Sequence, residues 1–467
     1  MNTTKTRQRL LPALPLMVAA IGFSGLVAAQ DKPAMVPGSG QVYERPSEGP
    51  EGTPPSTGPA PSRTVRPSTP TQETDAGSGK PFQVGSFLLY PELAANWMYD
   101  SNVFYTNRPI SDHAMLFSAS ASLQSNWNRH ALNFSASADT TRYSQYSIED
   151  STDWRIAGEG RYDINPDTNV YGGLHHGREH QDRESPDFRN GIQPTIYTQD
   201  RAYGGFFRQF DRISLRVAGT WQHLNYDDVP FIPGSGIPQM INNDDRDRHQ
   251  YTGGIRLGYE LSARLEPYIQ IALDNRRYDN TPDDLGVFRN SNGHRYLAGL
   301  RWNVPKKLKL DAFAGYMDQD YDDPRLQNVS TPAFGGSLLW AATDKLRISA
   351  LVDRTVEEST LTQTLSDVPL VVLAASSYTN TYASAGANYR LTNAWSLQGN
   401  LSYSEASYNG LDRTDDYYGA GAGVIYRVAK DFYVDVNYGY RNLHSSSPNE
   451  NFIKRQTFIG LTFPLSL

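Results

Sequence analysis

The sequence predicts an all-β protein whose main part is a transmembrane antiparallel up-and-down β-barrel of about 18 strands. Three observations lead to this prediction. Segments of about ten residues alternate apolar and polar side chains, short turns alternate with long polar loops, and aromatic residues concentrate near the segment ends. A soluble β-sandwich would also alternate, but its apolar face would be dominated by buried aliphatic residues rather than by Gly, Ala and terminal aromatics.

Short turns recur through the second part of the chain. They lie at 126–130, 163–169, 209–213, 261–265, 304–308, 342–346, 391–395 and 428–432. The connections between them are longer and rich in Asp, Pro, Gly and Ser, and those at 181–199, 227–247 and 356–376 are the best candidates to fold into the barrel mouth. An even strand number, with short turns after the even strands, places both barrel ends on one side, which for an exported protein is the periplasm.

The period of two assigns each strand a lipid face and a lumen face. On the predicted ninth strand the apolar set is Leu265, Ile269, Ile271 and Leu273, and the polar set is Glu266, Gln270, Asp274 and Arg276. Aromatic residues near strand ends on the apolar face predict two interfacial girdles. They are Trp154, Tyr162, Trp221, Tyr259, Trp302, Trp340, Tyr389, Trp395 and Tyr426.

Bulk composition excludes several classes of protein. The chain has 467 residues, and its hydrophobic content of 38% would suggest a soluble protein, but a barrel wall needs only every second residue to be apolar. The net charge of −7 argues against a nucleic-acid partner. Because cysteine is absent, disulfides, thiolate metal sites, cysteine nucleophiles and a lipidated cysteine are excluded.

Three regions follow from composition along the chain. Lys5, Arg7 and Arg9 precede an apolar stretch at 10–26 and small residues at 27–29, which predicts a cleaved signal peptide over 1–29. Residues 30–85 are rich in Pro, Gly, Ser and Thr and predict a disordered periplasmic segment, either a spacer or a tether for a partner. Residues 86–467 are the predicted barrel, located in the outer membrane with both termini periplasmic.

The polar face supplies candidate contacts along a substrate path. They are Arg161, Arg216, Arg256, Arg301, Arg347, Arg390, Arg427 and Arg441, together with the tyrosines Tyr171, Tyr268 and Tyr433. A cationic constriction would select anionic solutes or acidic polymers, and tyrosine rings would offer surfaces for sugars. The alternative is a ladder of arginine–carboxylate pairs that only stabilises the wall, since inward acids are nearly as numerous.

No enzyme is predicted, and no metal or cofactor. The histidines cluster only at His175, His176 and His180, without a serine partner set by spacing. The acidic stretch at 318–323 begins like a calcium loop but lacks its central Gly and terminal Glu. The sequence therefore points to transport or binding rather than to catalysis.

The start of the barrel resembles a known family. The segments Leu89-Tyr90-Pro91-Glu92-Leu93, Tyr99-Asp100-Ser101-Asn102-Val103-Phe104 and 123–132 resemble the putative β-barrel porin 2 family, which includes outer-membrane proteins of exopolysaccharide biosynthesis operons. The resemblance extends over the whole barrel. It implies an outer-membrane barrel that acts in surface-polysaccharide secretion as the exit pore. The motif Tyr99, Asp100, Ser101 and Asn102 marks the end of the first strand and is either functional or architectural.

Three functions remain open at this stage. The first is a passive channel that exports an exopolysaccharide made by a periplasm-spanning secretion system. The second is a general or anion-preferring porin for small solutes, and the third is a closed structural or adhesion barrel that acts through its outer loops. The expected partners are outer-membrane lipids, the barrel-assembly machinery, a polysaccharide and the periplasmic or inner-membrane secretion components.

Overall fold

A computed structural model describes residues 81–189, 191–232, 237–364, 372–447 and 449–464. Eighteen strands form the barrel, and we number them along the chain. They are β1 (Phe87–Asp100), β2 (Asp112–Ser125), β3 (Ala131–Tyr143), β4 (Ser151–Asn165), β5 (Thr168–His180), β6 (Ile196–Phe210), β7 (Ile213–Tyr226), β8 (Arg248–Tyr259), β9 (Leu265–Tyr278), β10 (Ser291–Val304), β11 (Leu308–Tyr321), β12 (Val329–Ala341), β13 (Leu346–Glu358), β14 (Ser377–Arg390), β15 (Trp395–Asn409), β16 (Thr414–Ala429), β17 (Phe432–Ser445) and β18 (Phe452–Pro464).

Each strand pairs antiparallel with its neighbours in sequence, and β1 pairs antiparallel with β18. This last pairing closes the sheet, so the predicted antiparallel barrel of about 18 strands is confirmed. The short turns follow the even-numbered strands, at the predicted positions, and the longer loops follow odd-numbered strands, although the connection after β15 is only residues 410–413. The barrel therefore has a short-turn end and a long-loop end, and these two names are used below.

A short strand precedes the first strand of the predicted barrel. The strand Phe82–Val84 turns back onto the start of β1 and pairs with it, because Gly85 adopts a positive φ of 62° that suits a tight turn. The predicted signal peptide at 1–29 and the predicted disordered segment up to residue 80 lie outside the described residues. Two small hairpins, Val229–Phe231 with Gln239–Ile241 and Thr362–Thr364 with Val372–Ala374, extend from the long loops.

The wall alternates between an exposed apolar face and a covered polar face. On β9, Ile269, Ile271 and Leu273 are exposed, whereas Tyr268 and Gln270 are buried. Exposed aromatics lie on the apolar face at both ends of the wall; those toward the short turns include Tyr162, Tyr259, Trp302, Trp340, Tyr389, Trp395 and Tyr426. A barrel with its apolar side outward and aromatic rings at both edges suits a bilayer. In the described part of the chain, no helix is long and apolar enough to span a membrane.

Candidate functional site

The family-motif residues lie at the seam where β1 meets β18. Lys454 Nζ is 2.7 Å from Asp100 Oδ2, and both side chains are almost completely buried. Gln456 donates to the same carboxylate oxygen at 3.2 Å, and the Asn102 backbone N–H donates to Asp100 Oδ1 at 2.9 Å. The Lys454 ammonium also lies 3.5 Å from the centre of the Tyr105 ring. Asp100 thus anchors a compact polar cluster between the first and last strands.

The neighbouring motif residues extend the same seam. Ser101 donates its backbone N–H to the Arg455 carbonyl at 3.0 Å, and its hydroxyl accepts from the Arg455 N–H at 2.8 Å. Asn102 Nδ2 donates to the Ile453 carbonyl at 3.1 Å. Tyr99 lies on the opposite, outward side of β1, with its ring against His113. This placement favours an architectural role of the motif over a functional one.

A cluster of arginines and carboxylates covers the inner face of β7 to β11. Arg216 and Arg256 are directly opposite each other in the ladder. Arg256 Nη1 is 3.4 Å from Asp311 Oδ2, and Arg301 lies between Glu266 and Asp311 at 3.3 and 3.7 Å. The three guanidinium groups are buried, and three positive charges face two negative ones. This part of the wall is a paired network with one excess positive charge.

Two predicted tyrosines lie flat against the wall. Each ring packs against a glycine of a neighbouring strand. A Cβ atom added at Gly299 would lie 2.3 Å from Tyr268 Cζ, and one added at Gly205 would lie 2.4 Å from Tyr171 Cζ. A larger residue at either position would therefore clash with the ring. Tyr268 also donates its hydroxyl to Asp311 at 2.6 Å. Both rings are buried, and they act as wall components rather than as open sugar platforms.

The remaining predicted contacts lie away from this cluster. Arg161 pairs with Asp163 at 2.8 Å beside a short turn, and Tyr433 is buried directly opposite Arg427 on the β16–β17 side. Arg441 forms an ion pair with Glu184 at the long-loop end. Only Arg441 of the eight predicted arginines lies toward the long-loop end. The other seven each lie within four residues of the short-turn end of their strand, namely Arg161, Arg216, Arg256, Arg301, Arg347, Arg390 and Arg427.

Burial of the inward face changes from one end of the barrel to the other. On β13, Arg347 near the short-turn end is exposed and Glu357 near the long-loop end is buried. On β14 the same change runs from exposed Arg390 to buried Asn380. Among the described residues, the inward side chains of these strands are therefore accessible at the short-turn end and covered at the long-loop end.

The loop between β5 and β6, residues 181–195, provides much of this cover, and we call it the mouth loop. Its Glu184 pairs with Arg441 on β17, and its Pro186 carbonyl accepts the Tyr408 hydroxyl of β15 at 2.5 Å. These strands stand across the closed ring from β5. The mouth loop therefore crosses the lumen and contacts the far wall.

Two further loops hold the mouth loop. Asp187 accepts the Ser359 hydroxyl and the Thr360 N–H, both at 3.0 Å, and it pairs with Arg246 at 3.1 Å. Arg189 donates to the Asn242 carbonyl at 3.0 Å and to Thr360 Oγ1 at 2.7 Å. The three loops predicted to fold toward the mouth, at 181–199, 227–247 and 356–376, thus interlock there. The first ends at residue 195, since β6 begins at Ile196.

A cavity that is partly open to solvent lies between the mouth loop and the inner face of β14 to β17. Its lining combines tyrosine rings with amide, hydroxyl and charged groups, namely Tyr378, Tyr382, Tyr417, Asn380, Ser404 and Arg441. Aromatic faces with a few polar groups are typical of small-molecule and saccharide sites. These tyrosines are not among the residues predicted from the sequence, although the inward parity that Tyr378 and Tyr382 share on one strand was a usable signal.

Acidification should stabilise the loop at 227–247, because burial raises the pKa of Asp247 to about 6, with the charges of Asp279 and Asp244 adding to the effect. Between this value and the ordinary pKa near 3.8, the folded loop binds more protons than an unfolded one, so its stability rises as the pH falls from 7 to 5. Hydrogen exchange of this loop, corrected for intrinsic rates, should slow accordingly. Asp247→Asn should weaken that pH dependence without abolishing it, because burial also raises the pKa of Asp245 in the same loop; an unchanged dependence would contradict the assignment to Asp247.

Comparison with known proteins gives one family and several barrels. The family described as putative β-barrel porin 2 matches residues 78–464. OccK3 (OpdO) of Pseudomonas aeruginosa is 13% identical, with a TM-score of 0.41 over 81% of this chain and 96% of that chain. The siderophore receptor PirA of Pseudomonas aeruginosa is 8% identical, with a TM-score of 0.38 over 81% of this chain and 80% of that one. Such identities concern the fold alone. None of the curated proteins matches this chain.

Proposed function

This chain belongs to the putative β-barrel porin 2 family, and we propose that its outer-membrane barrel is the exit channel for a secreted exopolysaccharide. The polymer enters from the short-turn end, which faces the periplasm, and leaves at the long-loop end, which faces the cell exterior. The barrel contributes a route and a gate; the energy comes from the periplasmic and inner-membrane secretion components that deliver the polymer.

The contrast between the two ends of the lumen carries this proposal. Inward arginines such as Arg347 and Arg390 are exposed at the short-turn end, whereas the mouth loop covers the long-loop end. An 18-stranded barrel is wide enough for an aqueous channel when nothing fills it. An accessible short-turn end behind a mouth that is covered by interlocking loops suits a channel that opens for its cargo, and the tyrosine-lined cavity lies beside the mouth loop.

The closed structural barrel remains a second candidate, because the loops at 181–195, 227–247 and 359–376 interlock through buried groups such as Asp187 and Arg246. In that case the loops would act as an adhesive or docking surface and the lumen would conduct nothing. Electrical conductance separates the two candidates, since only a channel passes ions when its mouth is released.

An in-frame deletion of the gene tests the proposed function. Surface polysaccharide should fall and periplasmic polysaccharide should rise, and the parental gene should restore both. A gene that carries both Tyr382→Ala and Tyr417→Ala removes two aromatic rings from the cavity wall and should restore export only in part. The matched control is Tyr438→Ala, on the lipid face, which should restore export fully. Unchanged surface polysaccharide in the deletion strain would contradict export and favour a porin for small solutes.

The paired network on β7 to β11 should set the ionic preference of the open lumen. Asp311→Asn removes the carboxylate shared by Arg256 and Arg301 and should shift the reversal potential in a potassium chloride gradient toward chloride. Arg256→Gln should shift it toward potassium. The measurement uses barrels that lack residues 182–194, and Asp320→Asn, exposed on the outer side of β11, is the control. Equal selectivity in all three variants would place the ion path elsewhere.

A further inference from the structure

A row of polar side chains crosses the outward face of β5 to β8 at their long-loop ends. In the strand ladders His176 is directly opposite Asp200, Asp200 is opposite His223, and His223 is opposite His249. These residues lie farther along the strands than the outward aromatics Trp221 and Tyr251, which are themselves opposite each other. They sit where an outer-membrane barrel leaves the lipid, and the lumen site makes no use of them.

Asp279, just after β9, completes a three-residue group with His223 and His249. His223 Nε2 is 3.3 Å from Asp279 Oδ2, and His249 Nε2 is 3.6 Å from Asp279 Oδ1. The two imidazole rings are stacked, with centroids 4.3 Å apart and planes inclined by 16°. One donor atom from each residue lies within 4.8 Å of the others.

We propose that His223, His249 and Asp279 form a binding site for a divalent transition-metal ion of the zinc type. Two ligands of a tetrahedral zinc ion, each about 2.0–2.1 Å from the metal, are separated by about 3.3 Å. The two imidazole–carboxylate separations are close to this value. Two imidazoles with one carboxylate select zinc and its neighbours over calcium and magnesium, which prefer oxygen ligands. This inference is independent of the proposed transport function.

The surroundings of the three ligands support the assignment. Asp200 contacts His176 Nδ1 at 2.6 Å, and its other oxygen lies 4.0 Å from His223 Nδ1, so a small side-chain shift would let this carboxylate orient a metal-bound imidazole. The Asp279 backbone N–H donates to the Asp247 carbonyl at 3.0 Å, so the carboxylate is carried on an ordered extension of the sheet. Three side chains on three paired segments leave the fourth tetrahedral position open to water or to an anionic oxygen.

Metal binding requires two local rearrangements. The two imidazole planes are nearly parallel, with centroids 4.3 Å apart, so one ring must rotate before both Nε2 lone pairs can point at the same ion. The second rearrangement concerns the ring proton of His249. The Trp221 indole N–H donates to His249 Nδ1 at 3.2 Å, so in the metal-free protein the ring proton is on Nε2, facing Asp279. Coordination by Nε2 moves this proton to Nδ1, and the indole must then turn away. Trp221→Phe removes the competing donor and should strengthen zinc binding; weaker binding in this variant would contradict the geometry.

Zinc titration of the purified full-length barrel in detergent micelles tests the site, with calorimetry as the binding readout and the thermal unfolding midpoint as the second. The parental barrel should bind one zinc ion and unfold at a higher temperature with zinc, while calcium at the same concentration should leave the midpoint unchanged. His223→Asn, His249→Asn and Asp279→Asn should each weaken zinc binding by about tenfold or more, since even outer ligands contribute on that scale.

His294→Asn is the matched control, because His294 pairs with Asp318 at 3.3 Å on β10 and β11, outside the three-residue group. It should bind zinc as the parent does. An absence of zinc binding in the parent, equal stabilisation by calcium, or undiminished binding in His223→Asn and Asp279→Asn would overturn the proposal. All variants are compared only as folded barrels, verified by their resistance to unfolding in detergent at room temperature.

Discussion

Deletion of residues 182–194 is expected to increase the single-channel conductance of the barrel in a planar bilayer several-fold. The mouth loop crosses the lumen and contacts β15 and β17 on the far wall through Pro186 and Glu184. Its removal leaves an 18-stranded barrel whose interior is wide enough for an aqueous channel. Cells that carry the deletion should also become sensitive to large antibiotics that the outer membrane normally excludes.

A second deletion at the same end provides the control. Residues 447–450 lie in the loop between β17 and β18, where Asn449 contacts Asn107 of the neighbouring loop. Removing them shortens a loop without releasing the cross-lumen contacts, so conductance should remain near the parental value. If both deletions leave conductance unchanged, the mouth loop is not the barrier, and the closed structural barrel becomes the better description.

Asp100→Ala is expected to lower the free energy of unfolding by about 3–5 kcal/mol, because removing one partner of a buried ion pair leaves the other charge uncompensated. Asp100 and Lys454 join the first strand to the last at 2.7 Å and are almost fully buried. Strand closure depends on this junction, so the loss should reduce the urea concentration at which the barrel unfolds in lipid vesicles.

The double variant Asp100→Asn with Lys454→Met separates charge burial from general damage at the seam. Replacing both charges removes the uncompensated ammonium, so the double variant should be more stable than Asp100→Ala. Asp320→Asn, an exposed carboxylate on β11, should change the unfolding midpoint little. A midpoint for Asp100→Ala that equals the parental one would show that the motif does not hold the seam.

The strands, turns and faces could be predicted because each depends on neighbours in sequence. A two-residue turn such as Pro166–Asp167 is visible from its own residues and the alternation on both sides. The same parity placed Arg256 and Arg301 inside the barrel, and the structure has them buried there. Arg390 lies beside a short turn, as its position directly before residues 391–395 implies. Parity does not predict exposure, however, because Arg390 is exposed and donates to the Asp344 carbonyl, whereas Arg256 and Arg301 are buried.

Contacts between distant segments could not be predicted, because they depend on strand stagger and on the paths of loops. Glu184 and Arg441 are 257 positions apart in sequence, and only the closed ring brings the mouth loop to β17. The histidine contacts could not be predicted for the same reason. His176 and His180 were the natural candidates by spacing, yet they contact different carboxylates, Asp200 and Asp153, while His223 and His249 meet across two strands.

Locking the mouth loop during export tests the proposed exit route most directly. The chain has no cysteine, so Glu184→Cys with Arg441→Cys gives a unique pair across the mouth that a reversible bifunctional thiol reagent can join in intact cells. We predict that surface polysaccharide falls and periplasmic polysaccharide accumulates after cross-linking, and that a reductant restores export. Each single-cysteine variant should be unaffected by the reagent. Undiminished export through barrels that gel electrophoresis shows to be cross-linked would contradict the proposed exit route.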